Sequence, residues 1–238
     1  MNVMSQSAVF LLLVYALVQK VMSTNPNVVT RWVYHMCRDT DIDILSSTGV
    51  WIEPYKKSLV DFNFAESIRP DKDEFKLEFS FKTTVSEGIL FYTRSKDYPK
   101  EIISMFLSDG YLVYKFTCPN LAVVDFLYYE DRTRVNDNRW HNISFHVKVY
   151  NTPRVLRDKE ANITVDGRDI TGKTYRVSCH QVTSLVMGGK RPKDAEFIHN
   201  NTRTLKTVSK HFEGCIRYLE TNLPLKTPPK YSVISSCR

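Results

Sequence analysis

The 238 residues (27.7 kDa) suit one large domain or two small ones and are too many for a disulfide mini-protein. With 42% hydrophobic and 25% charged residues the chain can bury a real core, and five cysteines are too few for a disulfide-dense scaffold. The formal net charge of +7 leans toward acidic partners, while 8 glycines and no glycine-rich phosphate loop argue against collagen-like order and nucleotide chemistry.

The chain opens on an apolar run, Ala8 to Val18, too short to span a bilayer. It fits the hydrophobic region of a secretory signal, with Val21-Met22-Ser23 as a cleavage site, although the segment before it carries no Lys or Arg. Three N-glycosylation sequons begin at Asn142, Asn162 and Asn200 and favour the same compartment. No second apolar run follows, so the expected product is secreted, extracellular and without a membrane span. Residues 1–23 are expected as signal, 24–50 as a leader segment, and 51–238 as the folded domain.

From residue 75 onward the pattern is that of short strands. Phe75, Leu77, Phe79 and Phe81 alternate with Lys76, Glu78 and Ser80, a period of two with one face buried. Gly88 opens Ile89-Leu90-Phe91-Tyr92. The run Ile102 to Leu107 meets Ser108-Asp109-Gly110, a hairpin signal, and continues as Tyr111 to Phe116. His141, Ile143, Phe145 and Val147 alternate with polar residues, as do Ala161, Ile163 and Val165 before Asp166-Gly167. This alternation turns Asn142 and Asn162 toward solvent. No segment holds a helical period. Strands at this spacing predict an all-β sandwich.

The string Gly88-Ile89-Leu90-Phe91-Tyr92, Leu107-Ser108-Asp109-Gly110, Asn136 to His141, Ile163 to Gly167, Met187-Gly188-Gly189 and Phe212 to Arg217 resembles a laminin G domain, the LNS domain of laminins, neurexins and sex-hormone-binding globulin. The resemblance implies a jelly-roll β-sandwich of two curved antiparallel sheets. Trp140 and Phe212 are expected in its core. Five cysteines allow many pairings by count alone. The resemblance implies a Cys215–Cys237 bridge and, by position near the sandwich rim, a second between Cys118 and Cys179. Cys37 is left over, free or bonded to another chain.

Laminin G domains that bind calcium use acidic side chains in the loop matching Ser95 to Glu101 here. Asp97 and Glu101 are the candidates. Lys96 and Lys100 beside them weigh against calcium, and no other cofactor is expected. Catalysis finds little footing. The six histidines lack metal-ligand spacing, and no nucleophile elbow occurs. Asp39, Asp41 and Asp43 alternate as paired carboxylates would, but in the leader. His141 reads as a core histidine.

Charge is unevenly spread. Residues 24–187 hold 22 basic and 22 acidic side chains, whereas residues 188–238 hold 10 basic and 4 acidic. Lys190, Arg191 and Lys193 follow the Gly188-Gly189 turn, and Arg203, Lys206 and Lys210 follow next. These six form the expected basic patch. The expected function is an extracellular adhesion or matrix module, heparin-binding or recognising sulfated glycosaminoglycans, receptor glycans or matrix glycoproteins, and not nucleic acid. The alternatives are a carrier of a small apolar ligand between the sheets and, with less support, a sandwich glycosidase.

Overall fold

The computed structural model describes residues 42–53, 57–66, 74–96, 102–117, 133–150, 158–176, 182–194 and 210–237. The chain divides into two compact units, Met1–Ile42 and Asp43–Arg238. The second unit therefore begins ahead of the expected domain start. Ile44 and Val50 within it are fully buried.

The described strands are β1 (Val50–Ile52), β2 (Leu59–Asn63), β3 (Phe75–Lys82), β4 (Gly88–Arg94), β5 (Ile102–Ser108), β6 (Tyr111–Thr117), β7 (His141–Tyr150), β8 (Asp158–Val165), β9 (Arg168–Arg176), β10 (Ser184–Met187), β11 (Gly214–Thr221), β12 (Lys230–Ser232) and β13 (Ser235–Ser236). They form two antiparallel sheets. One runs β13-β1-β11-β3-β7-β8-β9 and the other β12-β2-β10-β4-β5-β6. Nearest neighbours in sequence are often not neighbours in the sheet, as a jelly roll requires.

The hairpin signals fold as their chemistry dictates. Asp109 and Gly110 have φ of 53° and 82°, and Asp166 and Gly167 have 52° and 76°. Two successive left-handed residues match the twist of the strands they join, and Asp and Gly tolerate that region best. Ser108 consequently faces Tyr111, and Val165 faces Arg168.

Alternation places Phe75, Leu77, Phe79 and Phe81 of β3 inside, with Ile143 and Phe145 of β7 beside them. Aromatic pairs tie the two sheets together. Phe79 meets Phe91 edge-on at 6.1 Å, and Phe145 meets Phe91 at 5.7 Å and Tyr114 at 5.1 Å. Such pairs add about 0.5–1.5 kcal/mol each beyond the area they bury. Phe212 is fully buried and packs edge-on against Phe81 at 6.2 Å. These aromatic side chains occupy the space between the sheets where β3, β4, β6 and β7 face one another.

The six-stranded sheet is buried on its outer face as well. Leu59, Ile89, Tyr92, Ile102, Phe106, Val113 and Val186 form a second apolar cluster there. Register puts them together: Val186 faces Tyr92, and Phe106 faces both Ile89 and Val113. Continuous apolar runs such as Ile89-Leu90-Phe91-Tyr92 are the sequence form of a strand buried on both sides.

Trp140 departs from its expected place in the core. His141 points inward and is only 5% exposed, so period two turns Trp140 outward. There it is half-buried under the Arg217 guanidinium, 3.7 Å above the ring centroid, with the Lys82 ammonium at 5.4 Å. The described C-terminus is fastened by a Cys215–Cys237 disulfide with Cα atoms 5.7 Å apart. Cys37, Cys118 and Cys179 lie outside the described residues.

Candidate functional site

Asn63 at the end of β2, Ser184 at the start of β10 and Arg94 at the end of β4 stand in one cross-strand row. Three connections converge on this end of the sheet. Thr183 donates its N–H to the Arg94 carbonyl at 2.8 Å, Phe64 to the Thr183 carbonyl at 3.0 Å, and Lys226 to the Asn63 carbonyl at 2.8 Å. Between them opens a groove of about 720 Å³, walled further by the segment Arg191–Asp194 and the approach to β12.

The floor of the groove is a polar network. Asp194 is 2% exposed; its Oδ2 accepts the Tyr92 hydroxyl at 2.8 Å and its Oδ1 accepts Arg94 Nη1 at 2.5 Å. The backbone N–H of Arg191 donates to the same Tyr92 oxygen at 3.1 Å. The Arg191 guanidinium forks onto Asp61, with Nε to Oδ2 at 2.8 Å and Nη2 to Oδ1. Burial pushes the Tyr92 hydroxyl well above the ordinary phenol range, so it stays a donor. Two guanidinium groups balance two carboxylates, and the floor is electrically neutral.

The rim is not neutral. Lys96, Lys193, Lys226 and Lys230 line the groove, are exposed, and have no acidic partner among the described residues. Asn63, Ser95, Thr183, Ser184 and Thr227 add hydrogen-bonding groups between them. This arrangement suits an elongated anion with hydroxyls along it.

The basic patch read from sequence is divided by the fold. Lys193 reaches the groove. Arg191 lines it too, but its charge is spent on Asp61, so it is not the free exposed cation expected. Lys190 lies near His211, whose imidazole is held below its usual range by burial and, more weakly, by the Lys190 charge. Lys210 pairs with Glu87 at 3.2 Å. Arg203 and Lys206 lie outside the described residues. Sequence reasoning missed Lys226 and Lys230, although the intervening Pro228-Pro229 marked an exposed connection. It treated Lys96 only as an obstacle to metal.

Asp97 and Glu101 lie outside the described residues. No group of three or more His, Cys, Asp or Glu that could hold a metal occurs among the described residues.

His141 is satisfied inside the opposite sheet. Its Nδ1 meets Asp166 Oδ2 at 2.9 Å and its Nε2 meets Asp137 Oδ1 at 3.0 Å. Hydrogen bonds from Arg139 hold the Asp137 carboxyl well below the usual carboxylate range. Asn142 is exposed and Asn162 half-buried, both on the outer face of the seven-stranded sheet. Asn200 lies outside the described residues.

The comparisons agree with this fold. Among solved structures, the chain is similar to domains LG4-5 of the mouse laminin alpha1 chain, at 17% identity and a TM-score of 0.60. That alignment covers 81% of this chain and 47% of the other, so the chain spans about half that structure's length. It is also similar to a heptameric SAP-like pentraxin from Limulus polyphemus, at 12% identity and a TM-score of 0.52, covering 83% and 98% of the two chains. No curated protein matches the sequence. A family model described as the laminin G domain matches residues 81–223, more than half of the chain, and the chain belongs to the laminin G domain family.

Proposed function

We propose that this chain is an extracellular binding module that holds acidic polysaccharide, of the sulfated glycosaminoglycan class, in the groove between β2, β4, β10 and β12. Family membership supports a binding role outside the cell. No helix among the described residues is long and apolar enough to cross a membrane. The observation that carries the ligand class is the convergence of Lys96, Lys193, Lys226 and Lys230 on a groove whose floor is already neutral. A polyanion gains from such a rim without displacing an internal partner. Exposed ion pairs give roughly 1 kcal/mol or less each, so affinity rests on several at once. Screening acts over about 8 Å at 0.15 M salt, so binding weakens as salt rises.

The test is heparin chromatography. Changing Lys193, Lys226 and Lys230 together to Ala should move elution to clearly lower salt with folding intact. Changing Lys76, Lys82 and Lys148 on the other sheet should move it less. Equal elution of the two triple variants would assign the retention to net charge and remove the groove as the site.

A further inference from the structure

Asn142 stands beside an aromatic surface that the groove does not use. Ser80 on β3 faces Arg217 on one side and Asn142 on the other, so the three share one cross-strand row on the outer face of the seven-stranded sheet. The Ser80 hydroxyl donates to Asn142 Oδ1 at 2.6 Å. The Asn142 backbone N–H donates to Asp166 Oδ1 at 2.8 Å. The first bond holds the side-chain amide by its oxygen, the second holds the backbone, and the exposed residue keeps Nδ2, the atom that carries an N-linked sugar, out of both. Two residues upstream, on the same side of the strand, is Trp140. Its ring is stacked by Arg217, and Arg217 lies 4.9 Å from the half-exposed ring of Tyr218. Tyr218 has a φ of 53°, an uncommon backbone state for a tyrosine, at the bulge of β11.

We propose that Asn142 carries an N-linked glycan whose first N-acetylglucosamine lies over the Trp140–Arg217 stack. An extended chain directs positions i and i−2 to one side, so the first sugar leaves Asn142 alongside the indole. Arg217 already covers the ring at 3.7 Å, so the apolar C–H face of the pyranose packs on the flat guanidinium and the indole edge beside it. The guanidinium on that ring supplies donors for the acetamido carbonyl and the hydroxyls. The sugar then covers a tryptophan that the domain otherwise leaves partly wet. The proposal rests on export of the chain, not on the ligand of the groove.

The test uses the full chain secreted from a cell line that makes only high-mannose glycans, trimmed enzymatically to one N-acetylglucosamine per site. Site-resolved mass spectrometry should find the sugar on Asn142. Thermal unfolding should then be compared for the trimmed protein, Asn142→Gln, Trp140→Leu and the double variant. Ser144→Ala is a second way to remove the sugar. Loss of the sugar should lower the midpoint by about 2–4 °C in the parent, the shift expected from a single modest contact in a domain of this size. In the Trp140→Leu background, loss of the sugar should leave the midpoint unchanged. If Trp140→Leu is not secreted, Trp140→Phe serves. In that case the tryptophan emission of the parent should shift to the red when Asn142 loses its sugar, with no shift in Trp140→Phe. An equal midpoint loss in both backgrounds overturns the proposal, and so does a bare Asn142 in protein whose Asn162 is glycosylated. A product with no glycan at all overturns the export reading with it, whereas the heparin result stands or falls separately.

Discussion

The Tyr92 hydroxyl donates to Asp194 Oδ2 at 2.8 Å, and this bond pins a loop to a sheet across 102 residues of chain. Tyr92 sits in one of the two central strands of the six-stranded sheet, and Asp194 ends the short turn that carries Lys193 to the groove. The same oxygen accepts the Arg191 backbone N–H. Tyr92→Phe removes both bonds and adds no volume. Leaving buried polar groups unpaired costs roughly 1–3 kcal/mol. We predict a lower unfolding midpoint and earlier elution from heparin, although no lysine has been changed. Unaltered elution would mean that Lys193 does not depend on this anchor.

Arg191 and Lys193 flank Pro192 in the basic stretch and do different work. The Arg191 side chain is 13% exposed and forks onto Asp61, while Lys193 is exposed and unpaired among the described residues. Removing one partner of a fully buried pair costs about 3–5 kcal/mol, because the other charge is stranded, and this partly buried pair approaches that figure from below. Arg191→Ala should therefore lower stability strongly in denaturant titration. Lys193→Ala should stay within about 0.5 kcal/mol of the parent, as exposed substitutions do, and still weaken heparin retention. Equal stability of the two variants would return Arg191 to the role of a free surface cation.

The parts of this molecule legible in sequence are those set by near neighbours. Asp109-Gly110 and Asp166-Gly167 announce their turns because the two residues alone supply the left-handed backbone. The alternation of β3, β7 and β8 is readable because one face of that sheet meets water. Trp140 was misplaced in the core, although an inward His141 forces its neighbour outward. Its size suggested the core, but the period of the strand decided the matter. The groove was not legible, because its lysines meet only through the order β12-β2-β10-β4. Nor was the Arg191–Asp61 pair, whose members are 130 positions apart. A basic run in sequence says how much charge is present, while the fold decides which of it is already neutralised.

Asp137 makes stability depend on acid. Its carboxylate accepts the Arg139 Nε–H at 2.6 Å and N–H at 2.9 Å, and also meets His141 Nε2. Its affinity for a proton is therefore lower in the folded chain than the ordinary value of 3.8. A depressed carboxylate contributes its full stabilisation above that ordinary value and loses it as pH falls further. Asp137→Asn should be less stable than the parent at pH 6. The gap should narrow as the pH is lowered below about 4. Unfolding titrations at several pH values read this directly, and a gap that is constant with pH would show that the charge of Asp137 is not what matters.

The Cys215–Cys237 bridge closes a sequence separation of 22 residues. In the chain-entropy view a loop of that length contributes roughly 3 kcal/mol, mostly by restricting the unfolded chain. The folded side matters as well. β13 is held to β1 by only two register pairs, Val50 with Ser236 and Trp51 with Ser235. The bridge fastens that short edge strand, which in turn covers one side of β1. Cys237→Ser should lower the midpoint by several degrees, and the amides of Val50 and Trp51 should exchange faster while those of β3 and β7 hardly change. Cys215→Ala with Cys237→Ala should match the single variant, because both remove the same bond. A peptide map of the unreduced protein should recover the two cysteines in one cross-linked fragment, and the same map reads the proposed Cys118–Cys179 pair. Recovery of Cys215 bonded to any other cysteine would overturn this account of the C-terminal edge.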